Sequence, residues 1–116
     1  MPIVEKYLPK RKNTSERARA RELSHESEKT LEARLRREVT KQGGLAVKLL
    51  SQLHRGLPDR MVLLPGGRIY FVELKSTGRR PTLLQRSCHE QLRRMGFSIY
   101  VVDSTETLEA FLELIR

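Results

Sequence analysis

Gly56-Leu57-Pro58-Asp59-Arg60-Met61-Val62-Leu63-Leu64-Pro65-Gly66-Gly67-Arg68-Ile69-Tyr70-Phe71-Val72-Glu73-Leu74-Lys75 is the stretch that decides the fold. Two runs rich in β-branched and aromatic residues flank Pro65-Gly66-Gly67, which supplies the positive φ of a tight reversal. The runs are therefore expected to pair as antiparallel strands. Side chains alternate along a strand, so Ile69, Phe71, Glu73 and Lys75 share one face, and Tyr70, Val72 and Leu74 the other. In a hairpin the start of the first strand lies beside the end of the second, which brings Asp59 next to Glu73. Two carboxylates and an ammonium then converge at one end of a sheet.

Two chemistries fit such a convergence. Acids and lysines at strand ends are commonly solvated ion pairs. Val72-Glu73-Leu74, however, sets a carboxylate inside an apolar run, where it is costly unless a cation or metal satisfies it. A divalent metal is the second reading, because Mg²⁺ is typically held by one or two carboxylates together with substrate phosphate oxygens and water. A lysine beside that site can orient the attacking water or neutralise developing charge.

Pro58-Asp59 followed by Glu73-Leu74-Lys75 resembles the PD-(D/E)xK nuclease signature. The longer pattern is similar to the VRR-Nuc family: Gly56-Leu57-Pro58-Asp59-Arg60, Gly66-Gly67-Arg68, Phe71-Val72-Glu73-Leu74-Lys75, a downstream Gln85, then Leu92-x-x-x-Gly96 before an apolar strand. That family includes stand-alone phage and bacterial nucleases and the nuclease domain of the Fanconi-associated nuclease. The resemblance runs from about Glu28 to the C-terminus. It departs at Ser51-Gln52-Leu53, where relatives usually carry Ser-Pro-Gly.

The resemblance implies a restriction-endonuclease-like core and a Mg²⁺- or Mn²⁺-dependent endodeoxyribonuclease. It implies Asp59, Glu73 and the Leu74 carbonyl as metal ligands, Lys75 as the residue orienting water, and Gln85 as a positioner of water or phosphate. A helix-borne Glu completes the family's site; Glu28-Lys29-Thr30-Leu31-Glu32 matches that pattern, with Glu32 favoured by its spacing to Gly43-Gly44 and Glu28 second. Similar proteins imply branched DNA, four-way (Holliday) junctions in particular, as substrate and a homodimer as the working form. A non-catalytic nucleic-acid-binding module on the same fold is the alternative.

Composition agrees with a polyanionic partner. The 116 residues carry 23 Lys+Arg against 14 Asp+Glu, a formal net charge of +9. Aromatics make up only 5% and Trp is absent, so stacking of bases on an aromatic platform is unsupported and phosphate contact should dominate. Lys48, Arg55, Arg60, Arg79 and Arg80 are the candidate DNA-contacting cations. His54, in the loop before Gly56, reads as a solvent-facing or phosphate-contacting residue. The single cysteine, Cys88, gives neither an internal disulfide nor a metal-finger spacing and fits a reduced, intracellular protein; the resemblance implies the cytoplasm of a bacterium or of a phage-infected cell. No apolar run reaches the length of a membrane span.

Residues 1–23 form a basic N-terminal extension, readable as an arm along a DNA backbone or as a disordered tail. Residues 24–116 form the nuclease-like domain. From Ser27, Leu31, Leu35 and Val39 recur with helical period as far as Gly43-Gly44, and Glu28 and Glu32 lie on or beside that stripe, where the first helical turns by themselves favour carboxylates. Leu45–Leu50 reads as a strand. Thr82 and Gln85 form a capping box opening a helix with a buried stripe of Leu84, Cys88, Leu92 and Met95. Phe97–Val102 reads as a buried strand. Asp103, with Glu106 three residues on, is expected to cap a last helix packed through Leu108, Phe111, Leu112 and Ile115. The order α-β-β-β-α-β-α is an α/β fold with a mixed sheet, its strand-helix-strand unit parallel.

Overall fold

The hairpin forms as its sequence dictates. In the computed structural model, which describes residues 27–50 and 54–116, strand β2 (Arg60–Leu64) pairs antiparallel with β3 (Arg68–Leu74), in register from Arg60↔Val72 to Leu64↔Arg68. Gly66 and Gly67 turn the chain at φ +86° and +74°. Strand β1 (Leu45–Lys48) adds antiparallel to β2, and β4 (Ile99–Val102) adds parallel to β3, giving a four-stranded mixed sheet in the order β1-β2-β3-β4. Helix α1 (Glu28–Lys41) precedes the sheet, α2 (Leu83–Arg94) makes the crossover between the parallel strands, and α3 (Thr105–Ile115) closes the chain. The element order and mixed sheet are those the sequence predicted. The basic extension and the departure at Ser51-Gln52-Leu53 lie outside the described residues.

Both faces of β3 are covered at its C-terminal end, where Phe71, Val72, Glu73 and Leu74 are all buried. On one face Val62, Tyr70, Val72 and Tyr100 pack under α1 and α3. Phe111 of α3 sits 5.2 Å from Tyr100 and 6.0 Å from Tyr70, ring centre to ring centre, in tilted and edge-on contacts. Arg34 of α1 pairs with Glu109 of α3 above this layer. The opposite face carries Phe71, Glu73 and Ile99, and receives α2 through Cys88, His89 and Leu92.

Helix α2 differs from expectation in its rotation. Leu84 and Met95 are 51% and 66% exposed, whereas His89 is 1% exposed. The inward face runs through buried Cys88, His89 and Leu92 and half-buried Gln85, turned about 50° from the purely apolar stripe at 100° per residue. The cause is polar: this rotation delivers Gln85 and His89 to the Glu73 carboxylate. The cap of α3 also shifts by one residue. Ser104, not Asp103, is the N-cap, exchanging hydrogen bonds with Thr107, while Asp103 Oδ1 accepts from the Thr107 hydroxyl. Strand β1 stops at Lys48, with the Leu49 amide bonded to the Asp59 carbonyl at 2.9 Å, and β4 starts at Ile99, after Phe97, whose amide donates to the Leu92 carbonyl at 3.0 Å and whose ring lies edge-on to Phe71.

Gly56 fixes where the loop before β2 meets α2. Its φ is +88°, and a Cβ there would stand 2.7 Å from the Leu84 carbonyl oxygen. Gly66 has nearly the same φ, +86°, with nothing within 4 Å of a Cβ. Comparing Ala at the two positions therefore separates backbone strain from close approach. Gly66→Ala should cost about 1 kcal/mol, and Gly56→Ala a further ~1–3 kcal/mol from overpacking, measured by urea denaturation. Equal losses would mean that the loop does not press on α2.

Candidate active site

Asp59 immediately precedes β2, so the Arg60↔Val72 register sets it opposite Glu73. Its Oδ2 accepts from the Leu74 amide at 2.7 Å, which ties the start of β2 to the end of β3. Desolvation by burial and the neighbouring Glu73 charge raise the Asp59 pKa to about 6. The Leu74 amide opposes that shift. A hydrogen bond from the protonated form to Glu73 and the charge of Glu28 reinforce it.

Glu73 is fully buried. Its Oε2 accepts from Gln85 Nε2 at 3.0 Å and lies 3.4 Å from Lys75 Nζ. The far end of the Gln85 amide is held as well: Oε1 accepts from the Thr82 amide at 2.9 Å, while the Gln85 amide donates to Thr82 Oγ1 at 3.1 Å. The capping box thus turns the NH₂ group of Gln85 toward the carboxylate, so one side chain both starts the helix and binds the acid. Glu73 Oε1 has no hydrogen-bond partner among the described residues.

Asp59, Glu73, Lys75 and Gln85 are thus brought together. Glu32 is not. It pairs with Arg60, whose side chain is 6% exposed, and lies 3.8 Å from Arg36. Arg60 stands opposite Val72, on the sheet face away from Glu73. Arg60 is accordingly withdrawn from the surface, whereas Lys48, Arg55, Arg79 and Arg80 are exposed, as is His54. Lys48 pairs in register with Arg60, at the same sheet end as Asp59. Sequence reasoning missed His89, whose Nε2 lies 3.6 Å from Glu73 Oε1. Its spacing four residues after Gln85 was the available signal, since i and i+4 share a helix face.

A divalent cation suits this arrangement. Two carboxylates face one another at a cost that a positive charge would remove, and one buried carboxylate oxygen is unpartnered. Among the described residues no three His, Cys, Asp or Glu side chains are gathered as a ready-made metal site. A cation here would take two carboxylates and complete its shell with a backbone carbonyl, water and phosphate oxygens, the pattern usual for Mg²⁺.

A solved structure described as a VRR_NUC domain superposes with a TM-score of 0.69 at 30% identity, over 76% of this chain and 97% of its own. A protein of Acyrthosiphon pisum secondary endosymbiont phage 1, described as "Putative nuclease p44", is 44% identical over 79 residues, which span 68% of this chain and 85% of the phage protein. The chain belongs to the VRR-Nuc family of nucleases. No protein-family model matches it. The sheet and its three helices have the restriction-endonuclease-like arrangement of VRR-Nuc proteins, a fold type that generally uses divalent metals. No helix among the described residues is long and apolar enough to cross a membrane.

The raised Asp59 value has a sign that can be measured. Without metal, a carboxyl that keeps its proton up to about pH 6 in the fold, against about 4 in the unfolded chain, favours the folded state at acid pH. That contribution is withdrawn as pH rises through 6. Asp59→Asn removes the charge and retains an oxygen that can accept from Leu74. In EDTA at neutral pH the variant should melt a few degrees above the native protein, with the gap closing below about pH 4. A native protein that melts at or above the variant at neutral pH would contradict the raised value.

Proposed function

We propose that this chain is a Mg²⁺- or Mn²⁺-dependent endonuclease that hydrolyses phosphodiester bonds in branched DNA, four-way junctions above all, and that it works as a homodimer. The observation that carries the reading is Glu73: a carboxylate fully buried in an apolar strand, hydrogen-bonded through Oε2 to Gln85 and ion-paired there with Lys75, and set opposite a second acid, Asp59. A solvated ion pair needs none of this burial, and a binding surface needs none of these acids in register.

Asp59, Glu73 and the Leu74 carbonyl would hold the metal, which when bound supplies a Lewis acid that polarises the phosphoryl group and lowers the pKa of attacking water. Of the two helix acids, Glu32 is held by Arg60, which leaves Glu28 for the outer position. We therefore assign the outer acid to Glu28. Lys75, 17% exposed and anchored beside Glu73, orients the attacking water or offsets charge building on the phosphate. Gln85 acts through Glu73, holding its carboxylate in place.

Substrate binding rests on charge. The net charge of +9 draws the chain to phosphates. Lys48 brings a cation to the acidic end of the sheet, and Arg79 and Arg80 follow Lys75 in the next loop. One small domain spans little duplex, so cutting two strands of a junction calls for two copies.

The test is cleavage of labelled four-way junction, flap and plain duplex DNA with Mg²⁺, Mn²⁺ or EDTA, alongside native mass spectrometry of the complex. Metal-dependent cutting of the junction should fall at least about a hundredfold in Asp59→Asn and in Lys75→Ala, with junction binding in EDTA retained. Full activity in Asp59→Asn would sink the assignment of the acid. Binding without cutting under every metal would make the protein a binding module on a nuclease fold, and a lone copy on the junction would remove paired nicking.

A further inference from the structure

Glu73 Oε1 and His89 Nε2 are both buried, both without a hydrogen-bond partner among the described residues, and 3.6 Å apart. Their residues are 0% and 1% exposed. An unpartnered buried carboxylate oxygen and an unpartnered buried ring nitrogen are each costly. An approach of about 0.7 Å, to an ordinary N–H···O separation, removes both costs at once.

The helix provides for that approach. Gln85 and His89 are four residues apart on α2 and therefore share a face. Gln85 already donates to Oε2, so the turn that supplies a donor to one carboxylate oxygen sets His89 beside the other. The polar rotation of α2, which leaves Leu84 and Met95 in solvent, has its explanation in this pair of contacts. Packing alone would have turned the two apolar residues inward.

We infer that His89 is a positioning residue for the metal centre, donating from Nε2–H to Glu73 Oε1 so that Gln85 and His89 together hold the carboxylate in one orientation. The inference rests on the reading of Glu73 as a metal ligand. A carboxylate oxygen accepts more than one partner, so a hydrogen bond from the imidazole would leave Glu73 able to hold a cation. Partners of this kind typically change metal affinity by 10- to 100-fold. His89 does not touch substrate in this role. It sets how firmly the acid presents itself.

Two measurements on the full chain test it. Long-range ¹H–¹⁵N NMR of metal-free protein reads the His89 tautomer: a proton on Nε2 is expected, and a bare Nε2 would overturn the contact. Electron paramagnetic resonance of unbound Mn²⁺ gives affinities for native, His89→Leu, His89→Gln and Asp59→Asn proteins. His89→Leu should weaken Mn²⁺ binding at least about tenfold, and His89→Gln, whose amide donates from a similar reach, should restore most of it. Native affinity in a folded His89→Leu would overturn the role, whereas a purely structural histidine would change the melting temperature and leave affinity untouched. Mn²⁺ binding that Asp59→Asn does not weaken would sink the metal reading itself. In that event, or if His89→Leu does not fold, the tautomer of the metal-free native protein still decides the His89–Glu73 contact.

Discussion

A negative charge with no access to water is the constraint that the rest of the molecule satisfies. Glu73 sits in an interior strand with Val72 and Leu74 buried at its sides, so its carboxylate depends on groups brought from elsewhere in the chain. They arrive on different elements: Lys75 at the exit of β3 and Gln85 on the crossover helix meet one carboxylate oxygen and His89 lies beside the other, while Asp59, on the loop entering β2, sets a second acid opposite. The mixed sheet is what makes these arrivals coincide. Antiparallel pairing of β2 with β3 aligns the acids, and parallel pairing of β3 with β4 requires a crossover that lays a helix over the same strand end.

The helix start shows how little material the arrangement uses. Thr82 and Gln85 satisfy the first amides of α2 reciprocally, as many helices do, but the spare amide donor of Gln85 is spent inside the site. On the far face of the sheet, Arg60 performs a comparable service. It is buried against Glu32, linking α1 to the residue next to Asp59. The residues adjacent in sequence at Asp59-Arg60 thus point into two chemistries on two faces, one facing the acids and the other an ion pair with the first helix.

Much of this was legible in the sequence because strand alternation and hairpin register are rigid rules. Pro65-Gly66-Gly67 fixes the turn, the turn fixes the pairing, and the pairing sets Asp59 across from Glu73. The capping box at Thr82 and Gln85 was legible for the same reason: it is local. Legibility ended where a polar group overrode apolar pattern. Leu84 and Met95 satisfy a helical stripe as well as Gln85 and His89 do, and only the buried carboxylate across the gap decides between them. Ser104 displaced Asp103 as a cap because Thr107 could answer it reciprocally, a competition between two adequate residues that spacing does not resolve. The pairing of Glu32 was beyond sequence reach for a further reason, since nothing in a helix pattern announces that a strand arginine will reach it.

The hairpin turn lies at the end of the sheet remote from the acids. Register runs from Arg60↔Val72 near the site to Leu64↔Arg68 at the turn, a span of roughly 13 Å at the rise of a strand. Pro65, Gly66 and Gly67 are exposed, and a side chain built on Gly66 or Gly67 meets no neighbour. Residues added at this tip leave the alternation within each strand as it is and act on the pairing only through the turn, whereas a single residue added within β2 or β3 would invert every face beyond it. The same geometry that holds two distant carboxylates in step makes the tip the natural attachment point for a tether, a fluorophore or a fused domain.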